Sequence, residues 1–107
     1  MEENKRVLDE YDRLKKLFEQ ADQTRMQLLE GQLVEHARMR VQLDDLNAVV
    51  AQTGLVKVNP ANPLQQKETM AARALVRLRA NYINSAKLLA RELGGDIEDM
   101  DDLEDFL

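Results

Sequence analysis

The chain predicts an all-α fold: a long antiparallel helical hairpin with a short N-terminal helix before it, oligomeric, and a disordered acidic C-terminal tail after it. Three observations carry that prediction. Apolar residues recur every three or four positions over two stretches of roughly thirty residues, and the proline-containing segment falls between them. Only 4% of the 107 residues are aromatic, so any core must come from Leu, Val, Met and Ala, which favours helices packed along their length. The expected division is an N-terminal helix over 1–21, a hairpin oligomerisation domain over 22–94, and a tail over 95–107.

From Glu2 to Gln20, Val7, Tyr11, Leu14 and Phe18 fall on one helical face, widened by Leu8 and Leu17. Asp22 and Thr24 then offer N-cap chemistry, because a carboxylate or hydroxyl can accept from an otherwise unpaired amide of the next turn. A break is expected at 21–24. The second helix runs from about Gln23 to Gln52, with Met26, Leu29, Leu33, His36, Arg40, Leu43, Asn47 and Val50 alternating at spacings of three and four. Three polar members make this seam weaker than a leucine zipper and suit a helix with more than one neighbour. Gly31 within it marks a bend or a close approach, since glycine otherwise only weakens a helix.

Gly54 ends that helix, and both prolines of TGLVKVNPANPLQQ follow asparagine, which disfavours helix at Asn59 and Asn62 and starts turns. Leu55, Val56 and Val58 form a short extended stretch with Lys57. The third helix is expected from about Gln65 to Leu93, with Ala71, Leu75, Leu78, Tyr82, Ala86, Leu89 and Leu93 on one arc. The hairpin or oligomer core is therefore assigned to Leu29, Leu33, Leu43, Val50, Leu75, Leu78, Tyr82, Leu89 and Leu93. A hairpin this thin has too little core for a comfortable monomer, so the first helix or another copy should cover its apolar edge.

The formal charge of −5 conceals a division along the chain. Residues 1–53 carry eight Lys/Arg against eleven Asp/Glu, residues 54–94 carry seven against two, and residues 95–107 carry none against seven. An acidic average thus leaves a basic last helix available to nucleic acid. There is no cysteine for a thiolate site, no GxxxxGK[ST] phosphate loop and no second histidine to pair with His36. Enzymatic activity, a cofactor, a metal and a small-molecule substrate are accordingly not expected. No apolar run approaches the roughly 18 residues of a membrane span, and the charged first twenty residues do not read as a signal peptide, so a cytoplasmic location is expected.

Two surfaces invite a functional reading. Opposite the leucine arc, Arg73, Arg77, Ala80, Asn84, Lys87 and Arg91 form a stripe roughly 27 Å long without an acid. Arg73, Arg77, Asn84, Lys87 and Arg91 are candidates for phosphate contacts; the alternative is an ordinary solvated face neutralised by acids of the second helix or of the tail. In the tail, Ile97, Met100, Leu103, Phe106 and Leu107 punctuate seven carboxylates. Self-repulsion argues for disorder in isolation, and the apolar spacing for docking onto a partner with an apolar groove and basic rim. The alternatives are a solvated tail, or one folded back on the positive stripe as a DNA mimic. His36, on the seam beside Arg40, reads as a structural interface histidine.

The stretch LVEHARMRVQLDDLNAVVAQTGLVKVNPANPLQQKETMAARALVRLRANYINSAKLLARELGG resembles the short all-helical terminase small subunits of tailed phages and prophages, and the resemblance covers about residues 26 to 94. There, too, a long helix ends in glycine, an Asn-Pro loop follows, and a final helix carries a pattern like MAARALVRLRANYINSAKLL. The resemblance lies in helix lengths, loop and residue types, with no catalytic signature. It implies a non-enzymatic part of the viral genome-packaging machinery: a homo-oligomer, commonly a ring, that helps select double-stranded DNA and regulates the terminase large subunit, an ATPase-nuclease, in the host cytoplasm. Many such proteins carry a separate helix-turn-helix domain, for which residues 1–25 are too short. The competing class is a coiled-coil structural, scaffold or chaperone protein of phage assembly without DNA contact.

Overall fold

The computed structural model describes residues 2–19, 22–54, 56–92 and 103–107. Helix α1 spans Glu2–Leu17, α2 Gln23–Thr53 and α3 Met70–Glu92; strands β1 (Val56–Asn59) and β2 (Asn62–Glu68) pair between α2 and α3. The protein is therefore mainly helical, with one antiparallel β-ribbon where a loop was expected.

Local chemistry sets each boundary. The last turn of α1 tightens through Phe18 N–H to Lys15 O (3.1 Å) and Glu19 N–H to Lys16 O (3.2 Å), and Lys15 and Lys16 complement the negative end of the helix dipole. Asp22 is the N-cap of α2, its Oδ1 accepting from Arg25 N–H at 2.7 Å. Gly54 closes α2 at φ 79°, a left-handed conformation that a Cβ would strain, and its N–H reaches Val50 O at 2.7 Å. Gly31 is exposed, and a Cβ there would meet nothing within 4 Å, so it marks no close approach.

The third helix begins five residues later than the expected Gln65. Residues 65–68 have good helix propensity, yet they lie opposite β1: Val58 faces Gln66, Lys57 faces Lys67 and Val56 faces Glu68. Ladder pairing with a β-branched strand overrides that weak preference. The register shifts between Val58 and Asn59, and Asn62 Oδ1 accepts from Leu64 N–H (3.2 Å) across Pro63, which has no amide to offer a ladder. Thr69 then joins both helix ends. Its Oγ1 accepts from Ala72 N–H (3.2 Å), and its hydroxyl donates to Gly54 O (3.0 Å).

Ion pairs from Arg6 to Asp45 (2.9 Å) and from Arg25 to Glu92 (3.7 Å) show that α1 and α3 both run antiparallel to α2. All four side chains are substantially exposed, so these pairs record register more than they stabilise it. At roughly 24 Å, α1 is about half as long as α2, roughly 46 Å. The core divides accordingly. One cluster joins all three helices through Leu14, Phe18, Leu29, Leu33, Ala37, Ala86, Leu89 and Ala90, and includes Phe106. A smaller cluster of Leu43, Leu75 and Tyr82, flanked by Met39, Leu46, Val50 and Leu78, is made by α2 and α3. Leu93 lies outside the described residues.

The end of the chain departs most from expectation. Residues 103–107 form a single turn, with Phe106 N–H to Leu103 O (3.0 Å) and Leu107 N–H to Glu104 O (3.1 Å), seated against the helices. The tail was expected to lack structure by itself, but Phe106 is 0% exposed and Leu103 is partly buried. Burial of the Phe106 ring, with hydrogen bonds to the main chain of the segment, offsets the entropy lost in ordering it. Ile97 and Met100 lie outside the described residues.

Candidate functional site

Two places gather chemistry: the seat of the C-terminal segment and the outward face of α3. The seat is organised by His36, fully buried on the seam of α2. Its Nε2 lies 2.6 Å from Phe106 O, and a carbonyl only accepts, so Nε2 carries the proton. Nδ1, 2.8 Å from Ser85 Oγ, then accepts the serine hydroxyl. Both ring nitrogens are satisfied without a charge. The ring stacks on Tyr82 (4.3 Å between centroids, 7° between planes) and meets the edge of Phe106 at 6.2 Å and 74°.

Burial pushes the His36 pKa below the usual histidine range. The hydrogen bond to Phe106 and the charge of Glu10 oppose the shift, while Arg13 and Arg40 reinforce it. The same arginines bracket the segment. Arg13 Nη1 donates to Asp105 O (2.9 Å) while its guanidinium is held by Glu10, and Arg40 Nη1 donates to Leu107 O (3.0 Å). The Tyr82 hydroxyl donates to Leu107 O as well (3.2 Å), with Arg40 lying 5.1 Å from the Tyr82 ring centre. Burial raises the Tyr82 pKa, so the phenol keeps the proton it donates. Phe106 completes the seat against Phe18, at 5.7 Å and 42°.

Of the tail residues assigned to partner docking, Leu103 and Phe106 thus contact the body of their own chain, whereas the Leu107 side chain is 46% exposed. Arg13 and Ser85 were not singled out in the sequence. Their signal there is weak, because Arg13 acquires its role from the segment and Ser85 from His36 on the neighbouring helix.

On α3, Ala72, Leu75, Tyr82, Ala86, Leu89 and Ala90 face inward. Arg73, Arg77, Ala80, Asn84, Lys87 and Arg91 are all exposed. Arg73 approaches Glu68 at 3.7 Å; no carboxylate among the described residues pairs with Arg77, Lys87 or Arg91. Arg79 adds a further exposed cation, and Val76, Ile83 and Leu88 place apolar side chains among them. At the ribbon end, Lys57 and Lys67 stand opposite each other, an arrangement that is unfavourable until an anion or solvent screens it. Among the described residues no cluster of three or more His, Cys, Asp or Glu is placed to hold a metal, and no helix is long and apolar enough to cross a membrane.

Comparison of the chain with family models, curated proteins and solved structures gives no match.

Proposed function

We propose that the protein is a non-enzymatic, small-terminase-like subunit of viral DNA packaging: an oligomeric adaptor that contacts double-stranded DNA and recruits or regulates the large ATPase-nuclease subunit. The observation that carries this reading is the outward face of α3, where Arg77, Lys87 and Arg91 are exposed with no carboxylate partner among the described residues. Cations at helical spacing can follow phosphates regardless of sequence. The long-helix, Asn-Pro, basic-helix order of residues 26 to 94 supplies the packaging context by resemblance. Recruitment of the large subunit through Leu103 and Phe106 requires the segment to leave its seat.

A second reading, a coiled-coil scaffold or chaperone of phage assembly without DNA contact, draws on the apolar residues at the ribbon end. Leu64 is 92% exposed and Met70 87%, with Val56, Val58 and Val76 also open. Such a surface fits protein contacts alone. Titration of labelled duplex separates the two. With phosphate contacts, the wild type binds and loses affinity steeply with salt, and the combined Arg73→Ala, Arg77→Ala, Lys87→Ala and Arg91→Ala variant shows a log–log salt slope shallower by about 3 to 4. Equal slopes, or no wild-type binding at low salt, select the scaffold.

A further inference from the structure

The β-ribbon has two unlike faces. Residues directly opposite each other in an antiparallel pair share a face, and neighbours along a strand take opposite ones. Lys57 and Lys67 therefore stand side by side on one face, while Val56, Val58, Gln66 and Glu68 belong to the other. Both lysines are exposed, and no carboxylate among the described residues pairs with either. Glu68, the one acid between Gly54 and Met70, lies on the opposite face and is engaged by Arg73 at 3.7 Å. Two ammonium groups on side chains roughly 5 Å apart at Cβ repel each other unless an anion lies between them. Protection of the sheet edges calls for a lysine on each strand, but not for the two to face each other. Their shared position is unfavourable for the ribbon by itself.

We propose that Lys57 and Lys67 together grip the phosphate backbone of double-stranded DNA, which makes the ribbon a second contact arm continuing the basic face of α3. Lys67 stands three residues before Met70, so at most about 10 Å separate it from the start of that helix, where Arg73 and Arg77 follow. Thr69 fixes the joint, donating to Gly54 O and accepting from Ala72 N–H, so arm and helix keep one orientation. Val56, Lys57, Val58, Asn62, Leu64, Gln66, Lys67 and Glu68 are all exposed, and the arm stands clear of the helices. A two-stranded ribbon is narrow enough for the major groove, about 12 Å wide. Charge selects the partner. Residues 54–94 carry seven cations and two acids, and both acids are already in ion pairs, Glu68 with Arg73 and Glu92 with Arg25. The cations left over run from the ribbon along α3 with one sign throughout, which matches a duplex bearing one negative charge per roughly 1.7 Å of its axis. The contact rests on the DNA reading of the proposed function and adds an element which that reading does not use.

Titration of labelled duplex across salt concentrations, with helicity and mass measured on each full-length variant, tests the arm. Lys57→Glu is the most informative change. It sets opposite charges at facing positions, which stabilises the ribbon and keeps a charge at its edge, so weaker binding there is not a loss of fold. Lys57→Glu and the Lys57→Gln/Lys67→Gln double variant should bind at least severalfold more weakly at low salt, with a log–log salt slope shallower by about 1 to 2. Lys57→Arg/Lys67→Arg, which keeps both charges, should bind as the wild type does. The proposal is overturned if Lys57→Glu binds like the wild type while the four-alanine α3 variant loses affinity, a result that leaves the DNA reading standing. Absence of wild-type binding at low salt removes both. The proposal is equally overturned if Lys57→Glu alters the mass of the assembly with DNA binding unchanged, which assigns the lysines to contacts between copies.

Discussion

At the residue scale, His36 and Phe106 tie the end of the chain to its middle, 70 positions away in sequence. His36 is the sole histidine, and its folded pKa is lowered mainly by burial, so below pH about 6.5 the unfolded chain binds the proton more readily than the folded one. Stability is therefore full above that pH and falls as the pH drops through 6.5 towards the lower folded value. Urea midpoints should decrease between pH 7.5 and 5.5, where ordinary carboxylates scarcely titrate, and His36→Asn should flatten the dependence. A wild-type midpoint constant across that window would contradict a neutral buried imidazole. Phe106→Ala deletes a fully buried ring and should cost about 3 kcal/mol or more in urea unfolding, a cost an unseated tail would not show. Little of this seat is legible in sequence. Periodicity reports neighbours on one helix, whereas Ser85 and Phe106 reach His36 from separate parts of the chain. The lone histidine on a leucine seam was the available clue, and it pointed to an interface without naming what covers it.

At the element scale, helix periodicity and capping chemistry place α1 and α2 well, because Val7 to Phe18 and Met26 to Val50 mark one face each and Asp22 and Gly54 mark ends of α2. The start of α3 was obscured because Gln65 to Glu68 are permissive helix formers with no apolar marker. Their pairing with Val56 to Val58 is non-local information. Gly31 offers a test of what lies against the N-terminal third of α2. With open space around the Cβ position, Gly31→Ala should stabilise an isolated chain by up to about 1 kcal/mol, read as a higher urea midpoint. If copies approach closely there, the same change should weaken the oligomer while leaving the monomer stronger. Scattering and denaturation together separate the two effects.

At the scale of the whole molecule, the dimensions are 62 × 37 × 19 Å and the radius of gyration is 17.4 Å, against about 13 Å for a compact domain of similar length. The shape follows from its parts: α1 covers only part of α2, and the remainder is α2 and α3 around the small Leu43, Leu75 and Tyr82 cluster, with the ribbon beyond it. Two-stranded ribbons are marginal alone, and this one leaves Val56, Val58 and Leu64 uncovered. An elongated body with an unpartnered apolar end is the physical basis for reading the protein as an assembling adaptor, and it explains why helix lengths were easier to anticipate than their covering partners. Such an end calls for self-association. Multi-angle light scattering across micromolar concentrations, with helicity followed on the same samples, tests it most directly. A helical species at a defined multiple of 12.3 kDa is the predicted result; a fully helical species of 12.3 kDa throughout that range would contradict it.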